Sequence, residues 1–246
     1  MPAVSVTIIC RDEADRIAAA IASAAWADEV VVLDSGSTDG TADLARTAGA
    51  VVHVEAWRGY GAQKNRAADL ARHRWIFNLD ADERIDPRTA AAVRALGDTP
   101  AGVVYAVRRR NHLGGMPIRR WPWSWDRQRR FYDREAAAFS AVPLHESLVF
   151  TGTSGHLPGV LEHFTYRDAA DHERRLVTYA RLWAQRARHE GRAVGAFKRA
   201  GDPLLAFLRH YLLRGYALGG RQGWALSCAA ARGVALRYHF LDLESP

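Results

Sequence analysis

Four acidic side chains, Asp80, Asp82, Glu83 and Asp86, follow a short apolar run in the stretch FNLDADERIDP. Asp80 and Asp82 stand two apart, and in extended chain that spacing points both carboxylates to the same side. Mg²⁺ and Mn²⁺ prefer oxygen ligands and commonly bind through one or two carboxylates plus a substrate's phosphates, so the pair suits a nucleoside-diphosphate site. A solvated acidic turn capping the helix that begins at Pro87 would look the same, and a D-x-D pair alone does not separate the two.

A second polar cluster closes the run VVLDSGSTDGT. Asp34 at a strand end, followed by small turn-forming residues, lets a planar base or a ribose approach the backbone while the carboxylate accepts from N–H or hydroxyl groups. The alternative is a plain strand-to-helix turn in which Asp39 or Thr41 caps the next helix. A dinucleotide fold is disfavoured, because IICRDEAD stands where G-x-G-x-x-G would follow the first strand.

The elements that must position these residues follow from periodicity. Apolar, β-branched runs at 4–10, 29–34, 50–54 and 75–79 predict strands, and helical spacing over 12–25, 41–48 and 63–72 places a helix between each pair. Such alternation predicts an α/β fold, a mainly parallel sheet flanked by helices, with ligands at the carboxyl ends of the strands. Asp34 closes the second strand, and Asp80 with Asp82 closes the fourth. A helix over 87–96 and a strand over 102–109 come next. Residues 111–150, dense in Trp, Arg, Gly and Pro, predict short strands and a long functional loop, with Trp121, Trp123 and Trp125 as a possible aromatic platform. From residue 168 the chain reads as helical, with breaks at 191–201 and 215–223.

Residues 1–166 carry 20 basic and 20 acidic side chains, whereas residues 167–246 carry 14 and 7, so the net charge of +7 belongs to the last third. There, PLLAFLRHYLLRG sets Leu204, Leu205, Phe207, Leu208, Tyr211 and Leu212 on one helical face with arginines outside it. With Trp183, Phe197, Tyr216 and Trp224 among further arginines, this region predicts attachment to an anionic membrane surface, although helices packed on a domain share the pattern. No nucleic-acid motif accompanies the charge. Only Cys10 and Cys228 are present, without disulfide or zinc spacing, and the apolar start reads as a strand rather than a signal peptide. A cytoplasmic protein at the inner membrane face is expected.

The ordered set SVTIICRDEAD, DEVVVLDSGSTDGT, GAQKNRAADLA and WIFNLDADE resembles glycosyltransferase family 2, inverting enzymes of the GT-A fold. The wording DSGSTDGT and GAQKN, with the later PLHESL and LEHFTY, is most similar to bacterial lipopolysaccharide-core β-1,4-glucosyltransferases. The resemblance implies a catalytic domain over 1–166, its nucleotide-sugar half at 1–100 and acceptor half at 101–166, followed by a helical region over 167–246. It implies that Glu13, Asp34 and Asp80 contact the base and ribose of a sugar nucleotide, and that Asp82 reaches a divalent metal, Mg²⁺ or Mn²⁺, at the diphosphate. Lys64 stands where many members carry Arg and would meet phosphate or base, and Asp12 replaces a common Asn.

Transfer to a glycan or glycolipid acceptor requires a general base. Glu146 stands at the family's usual position for it, His145 beside it is the alternative, and Asp126 is a third choice. Arg130 and His163 match further subgroup positions, as acceptor or phosphate contacts or as structural groups. Glucose from UDP-glucose onto lipopolysaccharide core is the reaction the resemblance implies. A sugar nucleotidyltransferase uses a related architecture but normally shows a Gly-rich basic loop after the first strand, and a non-catalytic binding protein on the same fold is the other rival.

Overall fold

The computed structural model describes residues 2–97, 102–113, 115–118, 126–140, 146–167 and 169–243. His145 and the three alternating tryptophans lie outside the described residues. The first half alternates as β1 (Val4–Cys10), α1 (Ile17–Ser23), β2 (Glu29–Asp34), α2 (Thr41–Thr47), β3 (Val51–Val54), α3 (Tyr60–Leu70) and β4 (Trp75–Asp80). Then come β5 (Glu83–Ile85), α4 (Pro87–Arg94), β6 (Val104–Leu113), β7 (Met116–Pro117), β8 (Arg127–Asp133), β9 (Ala137–Phe139), β10 (Leu148–Phe150) and β11 (Ser154–His163). The rest is helical: α5 (Ala169–His189), α6 (Ala196–Leu208), a π-helical turn over Arg209–Leu213, a 3-10 turn over Tyr216–Gly219, and α7 (Gly220–Leu243).

Among the described residues, the main sheet runs β3-β2-β1-β4-β8-β6-β11-β5, with β7 paired to β6, while β9 and β10 form a separate hairpin. The strands β3, β2, β1 and β4 are parallel, and β8 joins β4 antiparallel. This is the α/β, GT-A arrangement expected, its parallel half continued by antiparallel strands. The register sets Cys10 beside Asp34 and Ile9 beside Asp80, so the carboxyl ends of β1, β2 and β4 are level and their polar side chains reach one edge.

The sheet is held by apolar strands buried on both faces, which is why they read as continuous apolar runs. Val6, Ile8, Val32, Phe77 and Leu79 are fully buried in one cluster with Ile17 and Ile21 of α1. Each such side chain contributes roughly 1.5–3 kcal/mol relative to an exposed one. α1 begins at Ile17 rather than at residue 12, because Asp12, Glu13 and Ala14 bond through their N–H groups to the loop after β2 and the start of α2. A strand at Glu83–Ile85, which the sequence reading left unassigned, forms because β11 pairs with it.

The chain divides into two compact units, one of Met1–Arg110 with Asp126–Phe164, the other of Asn111–Trp125 with Thr165–Pro246. The second unit has its own small core, in which Ala180, Ala184 and Ala187 of α5 meet Phe240 and Leu241 of α7. The helix breaks fall at Gly191–Gly195 and Gly215, inside the two stretches expected. Pro203 lies within α6, and a π-helical turn follows it. Among the described residues, no helix is long and apolar enough to cross a membrane.

Candidate active site

The loops after β1 and β2 are stitched together. Asp12 holds a left-handed backbone, φ +53°, a conformation that Asp and Asn tolerate better than other side chains. Its N–H donates to Ser37 Oγ at 2.8 Å, and its Oδ1 accepts from Thr38 N–H at 2.8 Å. Glu13 N–H donates to Thr41 Oγ1 at 2.8 Å, and Ala14 N–H to Asp39 Oδ2 at 3.0 Å. Four cross-bonds thus fix the crevice between the two strand ends. Asp34, 1% exposed, accepts from the N–H groups of Gly36 and Ser37 through Oδ1 at 2.8 and 2.7 Å. The Cys10 thiol donates to its Oδ2 at 3.5 Å, and burial together with the Asp34 charge pushes that thiol far up, so it stays protonated. The strand-to-helix turn account of this segment is met in part, since Asp39 Oδ1 accepts from Thr41 N–H, at the first residue of α2, at 3.0 Å.

At the end of β4, a chain of alternating charge crosses the first unit. Lys64, from the buried face of α3, places Nζ 2.8 Å from Glu146 Oε1 and 3.5 Å from Asp80 Oδ1, with the Phe139 ring 5.1 Å away. Arg130 donates to Asp80 Oδ2, to Glu83 Oε1 at 2.6 Å and to Asn78 Oδ1 at 3.0 Å. Arg109 then stands 3.7 Å from Glu83 Oε1 and donates to Asp126 Oδ2 at 2.6 Å. Burial opposes the charge on Asp80, but Arg130 and Lys64 outweigh it and hold its carboxyl well below the usual range. Burial pushes Glu83, which has no exposed surface, the other way despite Arg130, with the Asp80 charge adding to the rise. The strand β8 supplies Arg130 through an irregularity: Phe131 pairs with Tyr105 and Arg129 with Ala106, leaving Arg130 as the extra residue, turned inward.

Asp82 lies two residues on. Its Oδ2 is 3.3 Å from His163 Nε2 and 3.7 Å from Arg16 Nη1, while its carbonyl accepts from Phe164 N–H at 2.9 Å. The pairing of β11 with β5 sets His163 opposite Glu83 and so beside Asp82. Ligands at about 2.1 Å on adjacent positions of a six-coordinate ion stand about 3 Å apart, so a carboxylate oxygen and an imidazole nitrogen at 3.3 Å fit one edge of such a shell. Among the described residues there is no group of three or more such ligands, so the remainder of a shell would come from water and substrate.

Beside the ion chain opens a cavity of about 530 Å³. Lys64, Asp80 and Glu146 form one wall with Phe139, and residues of β8 and β11 form the others. Asp34, Glu13 and Asp82 do not line it. Of the carboxylates at and just after the parallel strand ends, Asp80 alone among the described residues lines this cavity.

The residues 5–144 match the family model described as Glycosyl transferase family 2. The chain belongs to glycosyltransferase family 2. The lipopolysaccharide core biosynthesis glycosyltransferase LpsC of Rhizobium meliloti is 31% identical over 228 residues, 89% of this chain and 84% of that protein. An uncharacterized glycosyltransferase of Rickettsia prowazekii is 28% identical over 96% of this chain and 86% of its own. A crystal structure of glucosyl-3-phosphoglycerate synthase from Mycobacterium tuberculosis, in complex with Mn²⁺, UDP-glucose and phosphoglyceric acid, aligns with a TM-score of 0.38 at 24% identity. That alignment spans less than half of either protein, 45% of this chain and 44% of the other.

For this family 2 transferase, the structure brings Lys64, Asp80, Arg130 and Glu146 into one network and sets Asp82 against His163. Asp126 sits at the far end of the ion chain, bound by Arg109 and by Gln128 Nε2 at 2.7 Å. Glu13 is on the stitched loop, its side chain 3.9 Å from Arg16 Nε. Sequence reasoning assigned no role to Glu83, Arg109, Arg16 or Asn78. Arg109 closes a run of three arginines and Glu83 adjoins the D-x-D pair, but neither pattern names a partner.

Proposed function

We propose that the chain transfers a hexosyl group, with inversion, from a nucleotide sugar to a hydroxyl of a glycan or glycolipid. The observation that carries this is the shared wall of the cavity, where Glu146 and Asp80 are bridged by one ammonium, Lys64. Glu146 takes the proton from the acceptor hydroxyl as that oxygen attacks the anomeric carbon, and the nucleoside diphosphate leaves on the opposite side. His145 is the alternative base. Lys64 holds Glu146 in position and offers its charge to the departing phosphate. Asp80, kept ionised by Arg130, accepts from ribose, while Asp34 and Glu13 at the stitched loops contact base and ribose.

The donor atoms of Asp82 and His163 would hold a divalent ion, and a nitrogen ligand favours Mn²⁺ over Mg²⁺. When bound, the ion supplies Lewis-acid neutralisation of the leaving diphosphate. UDP-glucose as donor and lipopolysaccharide core as acceptor are the specific reading, supported by the likeness to LpsC, whose name records core biosynthesis. The second unit is proposed to rest on the anionic inner face of the membrane, supported by its basic charge and by exposed Phe197, Leu213 and Leu218.

A melting-temperature scan against UDP-, GDP-, ADP- and CMP-sugars with Mn²⁺ tests the donor site. A ligand at a hundredfold excess over its Kd adds about 2.7 kcal/mol, which reads as a rise of roughly 5–10 °C. The expected result is Mn²⁺-dependent stabilisation by UDP-glucose that disappears in Asp82→Ala. A product with retained anomeric configuration would overturn the single-displacement mechanism.

A further inference from the structure

Five cations face the cavity beside Glu146: Lys64, Arg109, Arg127, Arg129 and Arg130. Three are met by carboxylates, Lys64 by Glu146 and Asp80, Arg130 by Asp80 and Glu83, Arg109 by Asp126. Arg127 and Arg129 have no carboxylate partner among the described residues. They are not the overflow of a generally basic protein, because residues 1–166 balance 20 bases with 20 acids. Two apart on β8, they leave the same face of the strand, with their Cα atoms about 7 Å apart. The Arg129 guanidinium lies 5.3 Å from the centre of the Phe150 ring, a cation–π contact. Ser154 and His156 of β11 also line the cavity.

Two like charges set side by side on one strand repel, and a bidentate anion is the ligand that relieves this and fits the guanidinium fork. We propose that Arg127 and Arg129 bind an anionic group, a phosphate or a carboxylate, carried by the acceptor. The assignment to the acceptor rests on the transferase reading above. Glu146, the group that must touch the acceptor hydroxyl, walls this cavity together with Asp80 and Lys64 at its donor end, whereas the other donor-side carboxylates Asp34, Glu13 and Asp82 do not. The arginines therefore select which acceptor molecule presents its hydroxyl to Glu146.

Calorimetric titration of the full chain tests this, first with UDP and Mn²⁺, then, at saturating UDP, with glucose 6-phosphate, glucuronate and glucose. The wild type should bind glucose 6-phosphate or glucuronate at least tenfold more tightly than glucose, and whichever binds better identifies the anion. The double variant Arg127→Gln/Arg129→Gln should lose that advantage while its Kd for UDP stays unchanged. Both side chains are exposed, so the fold should persist, which an unchanged melting temperature verifies. Equal affinity for the anionic sugars in wild type and variant overturns the subsite. Competition between UDP and glucose 6-phosphate overturns its assignment to the acceptor and gives the arginines to the donor's diphosphate. A wild type that ignores UDP but binds glucose 6-phosphate through these arginines keeps the anion site and sinks the transferase reading instead.

Discussion

Lys64 holds one ammonium between two carboxylates, 2.8 Å from Glu146 and 3.5 Å from Asp80, and this makes the roles of the neighbouring residues separable. Glu146→Gln keeps an oxygen for Lys64 but removes the proton acceptor. Its kcat should fall roughly 10²–10⁴-fold, with donor Kd and melting temperature near wild type. Arg130→Met should give the opposite signature. Arg130 is 3% exposed and is bonded to Asp80, Glu83 and Asn78, so its loss leaves buried charge unpaired and should cost about 3–5 kcal/mol, read as a lower urea midpoint. Full kcat in Glu146→Gln would hand the base to His145. The placement of Asp34, Asp80 and Asp82 was legible in the sequence because each sits at or just past the end of an apolar run, which the structure forms as β2 and β4. The bond from Lys64 to Glu146 was not, since 82 residues separate the partners and no local pattern links them.

The elements that set these distances explain what single-chain periodicity can and cannot show. Strands β1, β2 and β4 were legible because buried parallel strands are continuous apolar runs, and the helices between them because their apolar spacing is local. Arg130 turns inward through an extra residue on β8, and His163 reaches Asp82 through the pairing of β11 with β5, and both features exist only once distant strands are aligned. The same holds for α3. An added Cβ at Gly61 would stand 2.1 Å from the Ser140 carbonyl oxygen and 3.6 Å from Glu146 Cβ, so only glycine lets the first turn of α3 seat against that segment. Gly61→Ala must therefore lift the helix that carries Lys64 away from Glu146. Overpacking of this kind costs about 1–3 kcal/mol, and here the larger effect should be on kcat, because a displacement near 1 Å at the reacting groups can cost on the order of 100-fold. A stable Gly61→Ala with unchanged kcat would show that the wedge of α3 does not set the site.

For the whole molecule, the two units differ in how they use apolar surface. The first buries β1, β2 and β4 almost completely, whereas α6 and the π-helical turn after it in the second bury no residue at all, with Phe197 96% and Leu213 82% exposed. Phe207, Tyr211 and Trp224 nonetheless pack as an aromatic trio, with centroids 4.9–5.5 Å apart, so these segments are folded and still present apolar side chains. The basic excess lies in the same third of the chain, and each Arg or Lys near an anionic leaflet adds on the order of 1 kcal/mol. Apolar insertion and charge predict different salt responses, and this separates a membrane surface from a merely solvated basic face. The full chain should co-sediment with vesicles rich in anionic lipid at low salt. Raising the salt should weaken that binding as the charges are screened, yet part should persist through the inserted side chains. Phe197→Asp with Leu213→Asp should abolish the salt-resistant part while leaving transfer to a soluble acceptor intact, because neither side chain belongs to the active site. Binding that vanishes completely at high salt and ignores these substitutions would leave only a charge-driven contact, and absence of binding at any salt would make the unit purely structural.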